Sequence, residues 1–269
     1  STVIVYPKPM AAFTTDTACL GALTTFTNES TVESGSIEFN QWDFGDNGSS
    51  LSINPAHTYT QAGSTTVNLI TTSNFGCSDT ATVGILINPL PNSQIIASGT
   101  LSFCCGDSVI LSALAGLNYL WSTSATTQSI VVNNCLASGI YALTLTDPST
   151  LCVDSSSVSV VIFPLPAANA GNDTSISLGS SYALHGQGGT TYSWLPAIGL
   201  SNPLIPAPVA NPLATTTFEL TVADINGCMD IDSLTITVIT DYNLAVTNIL
   251  TANGDGYNDK WIVMNIENY

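Results

Sequence analysis

Cysteines, carboxylates and histidines are the residues of this chain that could do chemistry, and their spacing argues against catalysis. The 269 residues include seven Cys, 19 Asp and Glu, and two His. Nothing places His57 or His185 beside a nucleophile, and for His57 a structural hydrogen bond is the better interpretation. The cysteines lack CxxC zinc spacing, and there is no Gly-rich phosphate loop. We therefore predict a non-catalytic protein.

One acidic segment is a candidate calcium site, and calcium is the only cofactor that the sequence suggests. Asn253, Asp255 and Asp259 surround two glycines and place oxygen ligands at alternating positions. Thr251 occupies the first ligand position and no Glu closes the loop. A polar turn before a strand at Trp261 is therefore the competing interpretation.

The other acidic pairs are interpreted as structural. Asp43 and Asp46 flank a tight turn at Gly45, where they could hold a cation, but we expect them to cap turn amides. Asp230 and Asp232 alternate along one predicted strand and are interpreted as solvated. Glycosidase carboxylates would instead face each other across a cleft.

The charge balance excludes two classes of partner. With 2 Lys and Arg and a formal net charge of -17, the chain cannot neutralise the phosphates of nucleic acid or dock on anionic lipid. No apolar run approaches the ~20 residues that would cross a bilayer, so no membrane insertion is expected. Such acidity with few cations suits a soluble surface or binding of divalent cations.

Two sequence marks recur in the same phase and divide the chain into repeats. Pro-x-Pro follows an apolar strand at Pro7–Pro9, Pro89–Pro91 and Pro164–Pro166. A Cys-x-Asp mark recurs at Cys77, Cys152 and Cys228. Runs rich in Val, Ile, Thr and Tyr alternate with polar residues, and each repeat has one central Trp (Trp42, Trp121, Trp194). These features predict an all-β chain of tandem immunoglobulin-like β-sandwiches joined by short, stiff linkers.

The repeats set the predicted domain boundaries. Residues 1–10 are assigned to the last strand of a preceding module and a linker, and three domains follow at 11–90, 91–165 and 166–240. Residues 241–269 are assigned to the start of a further domain.

Seven cysteines beside two basic residues predict an oxidising compartment with disulfides. Because each pair would join the two ends of one repeat, the predicted pairs are Cys19 with Cys77 and Cys104 with Cys152, with Cys105 and Cys135 as a further bridge. Ser177 stands where the early cysteine of the third repeat would fall, which leaves Cys228 unpaired. Sequence alone does not fix the connectivity.

Residues of the first repeat resemble the PKD domain. The matching stretches are Trp42–Asp46, Asn54–Tyr59, Gly63 and Asn74–Cys77. Asn47 departs from the pattern, since many members have Gly there. The resemblance implies a seven-stranded immunoglobulin-like sandwich that serves as a spacer or adhesive module.

The later repeats and the C-terminal segment are similar to parts of long surface proteins of gliding bacteria. The stretches in question are Cys104–Val109, Tyr119–Ser122, Tyr192–Pro196 and Gly199–Pro203. Thr251–Trp261 and Ile266–Tyr269 resemble the opening of the gliding-motility-associated C-terminal sorting domain, which implies export by the type IX secretion system. That resemblance stops after about one strand, so we do not expect this fragment alone to carry the signal.

Asp followed by Ser or Thr recurs and resembles the O-glycosylation signal of the same bacterial group. The candidate acceptors are Thr17, Thr80, Ser108, Ser155, Thr174 and Ser233. The same pairs also arise by chance in strands rich in Ser and Thr.

The two ends carry strand-like segments without a sheet of their own. Thr2–Tyr6 and Trp261–Ile266 are interpreted as parts of neighbouring modules of a longer polypeptide. The alternative is that they pair between identical subunits and build a fibre by strand addition.

Together these patterns predict a structural protein on a bacterial cell surface: a stalk, filament or adhesin shaft outside the cell. The alternative is a set of glycan-binding modules attached to a secreted hydrolase. An exposed row of aromatic side chains would favour that alternative, whereas polar faces and tight joints between modules favour the shaft.

Overall fold

A computed structural model describes residues 5–240, which form twenty β-strands and no helix. The predicted all-β class of tandem β-sandwiches is confirmed. The calcium candidates Asn253, Asp255 and Asp259 and the sorting-domain resemblance lie outside the described residues. Of the proposed pairing segment Thr2–Tyr6, the structure describes Val5 and Tyr6, neither of which is in a strand.

The first sandwich packs two antiparallel sheets, β1-β2-β5 and β4-β3-β6-β7. Its strands are β1 (Phe13–Thr15), β2 (Leu23–Asn28), β3 (Ile37–Asp43), β4 (Ser49–Ser50), β5 (Ala56–Thr58), β6 (Gly63–Ser73) and β7 (Ser78–Ile87). The long β6–β7 hairpin runs in register from Gly63–Ile87 to Thr72–Ser78.

The second sandwich contains the sheet β12-β10-β8 and a sheet with the order β11-β13-β14. The strands of this part of the chain are β8 (Ile96–Ala97), β9 (Ser102–Cys104), β10 (Val109–Ser112), β11 (Asn118–Trp121), β12 (Ser129–Val132), β13 (Gly139–Thr146) and β14 (Val153–Phe163).

The third sandwich contains the sheets β15-β20-β19-β17 and β16-β18. Its strands are β15 (Thr174–Ser177), β16 (Tyr182–Ala183), β17 (Thr191–Leu195), β18 (Val209–Ala210), β19 (Thr216–Ala223) and β20 (Met229–Ile239). β15 runs parallel to the end of β20, from Thr174–Ile236 to Ser177–Ile239.

The described chain divides into two units. Unit 1 holds residues 5–101, 108–132 and 137–161, which comprise the first sandwich and most of the second. Unit 2 holds residues 102–107, 133–136 and 162–240, so the third sandwich carries two short segments of the second repeat with it.

Each sandwich is built around one buried tryptophan that faces a leucine on the next strand. The pairs are Trp42 with Leu69, Trp121 with Leu143 and Trp194 with Leu220, all at most 1% exposed. Each indole N–H donates to a loop carbonyl, respectively Ser52 O at 2.9 Å, Thr127 O at 2.9 Å and Ile205 O at 3.2 Å. The predicted core position of the three tryptophans is confirmed, and their one polar atom is satisfied.

We expect Trp42→Ala to lower the free energy of unfolding of the first sandwich by about 3–5 kcal/mol, since it removes a fully buried ring and leaves a cavity. Phe39→Ala on the same strand is the matched control, because Phe39 is 63% exposed. Amide hydrogen exchange of β3 and β6 under increasing urea measures both variants. Equal destabilisation by the two substitutions would contradict a tryptophan-centred core.

Candidate functional site at the linkers

The only histidine–carboxylate pair within residues 5–240 has a structural role. His57 Nε2 lies 2.8 Å from Asp46 Oδ2, which is the structural hydrogen bond expected of His57. The imidazole stacks on Phe44 at 4.3 Å and meets Tyr59 edge-on at 4.7 Å. Partial burial opposes ionisation of Asp46, but hydrogen bonds from His57 and Gly48 hold its pKa below the ordinary value. The pair fastens the loop after β3 onto β5.

The turn at Gly45 shows why the acidic residues there cap amides. Asp43 accepts a hydrogen bond from Gly45 N at 3.0 Å, and Asp46 accepts one from Gly48 N at 3.0 Å. A Cβ on Gly45 would lie 2.4 Å from Thr66 O, so only glycine fits. Asn47 has φ 70°, a left-handed conformation that Asn tolerates, which explains how the chain departs from Gly at this position.

The repeated structural device of the chain is the fastening of its Pro-x-Pro linkers, and the linkers at Pro89–Pro91 and Pro164–Pro166 are fastened at both ends. In unit 1, Asn88 precedes Pro89 and is held by the loop after β1. Leu20 N donates to Asn88 O at 2.9 Å, while Asn88 N donates to Ala18 O at 2.9 Å. The Asn88 amide donates a further bond to Ala18 O at 3.1 Å. The linker therefore leaves the first sandwich from a fixed point.

The other end of this linker is fastened to the second sandwich. Ser93 is buried, and its hydroxyl donates to Asp154 Oδ2 at 2.7 Å. The hydroxyl of Ser156 donates to Ser93 O. Only four residues separate Asn88 from Ser93, and Pro89 and Pro91 are two of them. With two prolines and two fixed ends, this linker has few conformations available.

The same fastening recurs in unit 2. Cys105 N donates to Phe163 O, immediately before Pro164, at 2.8 Å. Ala168 N then donates to Asp230 Oδ2 at 2.9 Å. Ala170 N donates to Asp232 Oδ2 at 2.8 Å. The interpretation of Asp230 and Asp232 as solvated was therefore wrong, because both are half-buried and hold the incoming linker.

The first linker enters its sandwich in the same way. Ala11 N donates to Asp79 Oδ2 at 2.9 Å, and Lys8 Nζ lies 2.5 Å from Asp79 Oδ1. Tyr6 stacks on Phe75 with ring centroids 4.2 Å apart. The hydrogen bond from Lys8 is the main reason that the pKa of Asp79 falls to about 2.

We call Asp79, Asp154 and Asp230 the anchor aspartates. Each lies two residues after a cysteine of the repeated mark, and each binds the residue two positions after the second proline of a linker. Sequence reasoning noted both marks but not that one contacts the other. The contacting residues lie 68, 61 and 62 positions apart, and this nearly regular spacing was the signal that could have revealed the contact.

The disulfides connect neighbouring repeats, which corrects two predicted pairs. Cys19 is bonded to Cys152 within unit 1, with Cα atoms 5.6 Å apart, and Cys104 to Cys228 within unit 2, with Cα atoms 5.5 Å apart. Neither the Cys19–Cys77 nor the Cys104–Cys152 pair forms. Cys228, predicted to be free, is bonded, and Cys77 is the free cysteine. The Cys105–Cys135 bridge is present as predicted.

Strand length is the physical reason for the correction. Cys19 pairs with Asn88 at one end of β7, and Cys77 precedes the other end. The ten residues of β7 span roughly 33 Å, far beyond the ~7 Å limit on the Cα separation of a disulfide. β14, of eleven residues, likewise begins one residue after Cys152 and ends at Phe163, the residue that Cys105 contacts.

The remaining site candidates are spread over the surface. Five of the six predicted glycan acceptors are exposed, namely Thr17, Thr80, Ser108, Ser155 and Ser233, and Thr174 is half-buried. Several preceding aspartates have a structural use, since Asp16, Asp79, Asp154, Asp173 and Asp232 accept hydrogen bonds from the fold. Within residues 5–240, no three His, Cys, Asp or Glu side chains converge on a possible metal site.

Comparison with known proteins identifies relatives of part of the chain. Residues 6–87 match the model of the PKD domain family. The chain is 32% identical to the PKD1 domain of Vibrio anguillarum Epp, over 30% of this chain and 95% of that one, with a TM-score of 0.29. It is 32% identical to the PKD1 domain of the Vibrio cholerae metalloprotease PrtV, over 31% and 99%, with a TM-score of 0.28.

A longer but more distant match is to three N-terminal domains of the bacteriophage RB49 Highly Immunogenic Outer Capsid protein. The identity is 13%, over 87% of this chain and 99% of that one, with a TM-score of 0.38. No curated protein matches the chain. Among the described residues, no helix is long and apolar enough to cross a membrane.

The Lys8–Asp79 pair makes a prediction about pH. The pKa of Asp79 is lowered from 3.8 to about 2, so the pair stabilises the fold fully above pH 3.8 and loses this effect as the pH falls toward 2. We expect Lys8→Gln to raise the pKa of Asp79 toward 3.8, as measured by carbon-13 NMR titration of the carboxyl group. Lys8→Arg is the control and should keep the pKa low. An unchanged pKa in Lys8→Gln would show that Lys8 is not the cause.

Proposed function

Because residues 6–87 make this chain a member of the PKD domain family, we propose that it is a non-catalytic structural protein, a stalk, filament or adhesin shaft on a bacterial cell surface. PKD and immunoglobulin-like domains are generally non-catalytic modules, and PKD domains typically act outside the cell. The observation that carries the proposal is the linker device, in which a Pro-x-Pro segment, its two fastened ends and a disulfide all occur together.

The energetics of this device favour a shaft over a flexible chain of modules. The Cys19–Cys152 disulfide closes a loop with a sequence separation of 133 residues. A bridge of that kind contributes about 5 kcal/mol in the chain-entropy model. Hydrogen bonds at Asn88 and Ser93 add about 1 kcal/mol each. A tether that only kept modules within reach of each other would need none of these interactions.

The distribution of aromatic side chains supports the shaft over glycan-binding modules. Among residues 5–240 the most exposed aromatic rings are Tyr6, Phe39 and Phe75, at 45%, 63% and 38%. Tyr6 and Phe75 cover one face of each other. The second and third sandwiches contribute no exposed ring, so a stacking platform for sugars that runs along the described chain is not available.

The proposed location is the cell surface, reached by the type IX secretion system. The disulfides of the described residues suit an oxidising environment. Export by this route rests on the resemblance of Thr251–Trp261 to the start of a sorting domain. Unchanged delivery of the protein to the surface of cells that lack the type IX system would refute this part of the proposal.

Negative-stain electron microscopy of the native, cell-derived protein tests the shaft. We expect either regular fibres or rods of beads in which the first and second sandwiches keep one constant angle. A broad distribution of angles in the native protein would overturn the proposal.

Two cysteine variants distinguish the effect of losing the Cys19–Cys152 disulfide from the effect of replacing a cysteine by serine. In the double variant Cys19→Ser, Cys152→Ser, we expect the angle between the first and second sandwiches to vary more widely from particle to particle. Cys77→Ser removes a cysteine that makes no disulfide within residues 5–240 and should leave the angle unchanged.

We further propose that the outward-facing hydroxyls of Thr17, Thr80 and Ser233 carry sugar. All three are exposed and follow an aspartate. The intact mass of native protein should exceed that of the polypeptide, and alanine at each of these positions should remove one glycan mass. Alanine at Thr174, which is half-buried, should have the smallest effect. A native mass equal to that of the bare polypeptide would sink the idea.

A further inference from the structure

The three cysteines of the repeated mark occupy equivalent positions in the three sandwiches. Each lies in the hairpin before the last long strand, and its carbonyl accepts a hydrogen bond from the end of the preceding strand. The donors are Ser73 N to Cys77 O at 2.9 Å, Asp147 N to Cys152 O at 3.0 Å and Asp224 N to Cys228 O at 2.9 Å. We call these residues the hairpin cysteines.

Two hairpin cysteines are bonded and one is not. Cys152 and Cys228 are each 1% exposed and are joined to Cys19 and Cys104 of the repeat before their own. Cys77 has the same backbone setting but is only half-buried, and it makes no disulfide. Two equivalent residues in the same chain thus show which disulfide partner this position takes, namely a cysteine of another sandwich.

The linker next to Cys77 makes the same aspartate contact as the linkers at the bonded junctions. At the bonded positions, the anchor aspartate holds the residue two positions after the second proline, Ser93 or Ala168. Asp79 holds Ala11, the residue at the same offset from Pro9. At the far end of each bonded linker, the carbonyl before the first proline accepts an N–H from the residue after the partner cysteine, as in Leu20 to Asn88.

The equivalent carbonyl of the first linker is that of Tyr6, and it accepts no hydrogen bond from any residue within 5–240. Within residues 5–240, the Cys77 thiol at one end of this linker makes no disulfide and the Tyr6 carbonyl at the other end accepts no hydrogen bond. These match the two groups that a preceding sandwich would contact. The half-exposed thiol is therefore one part of an incomplete junction.

The chemistry of the partner follows from the residues that fill its position elsewhere. Cys19 and Cys104 are already bonded, and Ser177 is their equivalent in the third sandwich. The last assignment follows from backbone pairing, since Leu178 N donates to Ile239 O as Leu20 N does to Asn88 O. A second copy of this chain presents a hydroxyl at that position and cannot supply the thiol.

We propose that Cys77 forms a disulfide with a cysteine at the position equivalent to Cys19 and Cys104 in a further β-sandwich, one outside this 269-residue sequence. The two thiols lose two protons and two electrons as the sulfur–sulfur bond forms. A thiol–disulfide oxidoreductase of the oxidising compartment accepts the electrons, and its own disulfide becomes a dithiol. The site does not depend on whether the assembled protein acts as a shaft.

Disulfide mapping of the native protein tests the proposal. Cells are quenched with iodoacetamide, and the protein is digested with pepsin without reduction, because two lysines give trypsin too few sites. We expect the Cys77 peptide to be linked to a cysteine peptide from outside this sequence. Alkylated Cys77, Cys77 capped by a small thiol, or a Cys77–Cys77 bridge would each overturn the proposal.

A cysteine variant and gel mobility identify the source of the partner. In Cys77→Ser, the partner cysteine should become reactive to iodoacetamide, while Cys19–Cys152 and Cys104–Cys228 stay intact. If the partner is a separate polypeptide, wild-type protein should run as a larger species before reduction, and the variant should not. If the partner cysteine belongs to the same polypeptide, wild-type protein should run as a single chain both before and after reduction, with only the small mobility shift that opening internal disulfides causes. A partner peptide that stays unreactive in Cys77→Ser would contradict the link.

Discussion

The organisation of this chain depends on the poor hydrogen-bonding capacity of its linkers. A Pro-x-Pro segment offers one backbone N–H over three residues, so it cannot be held by a strand ladder along its length. It has to be fastened at the residues that flank it. In the linkers at Pro89–Pro91 and Pro164–Pro166, those bonds are made by the residue before the first proline and by the residue two positions after the second proline. The anchor aspartates and the cysteines beside them follow from this requirement.

The scarcity of cations gives the carboxylates a different set of partners. With only two Lys and Arg for 19 Asp and Glu, most acidic side chains have no ion pair to form. Many of them accept hydrogen bonds from backbone N–H groups instead, as Asp147, Asp224 and Asp230 do. Hydrogen bonds of this kind favour the charged carboxylate. The Ser149 hydroxyl, with the backbone N–H groups beside it, lowers the pKa of Asp147. Desolvation opposes ionisation of Asp224, but hydrogen bonds from Cys228 N and Asn226 hold its pKa below the ordinary value. Negative charge is thereby used to order loops and linkers.

Local patterns in the sequence predicted the fold well but the site only in part. Alternation, one Trp per repeat and the Pro-x-Pro mark indicated tandem sandwiches, because strand burial and proline geometry are local properties. The pairing of Cys19 was wrong, since sequence separation does not reveal that a ten-residue strand keeps Cys77 away from it. Cys105 and Cys135 were paired correctly as the two left over. The role of Asp230 was missed because its partner, Ala168, lies 62 residues away.

The order of the three disulfides has a mechanical consequence. If the chain is pulled from residues 5 and 240, a covalent route runs from 5 to Cys19 and crosses to Cys152. It returns to Cys135, crosses to Cys105 and neighbouring Cys104, and ends through Cys228. That route contains roughly a fifth of the backbone between the two ends. An unbridged chain would extend by up to ~3.5 Å per residue, so the bridged chain can reach only about a fifth of that extended length. The bridges thus act as an extension stop, and the remaining residues are shielded from the force even after every sandwich has unfolded.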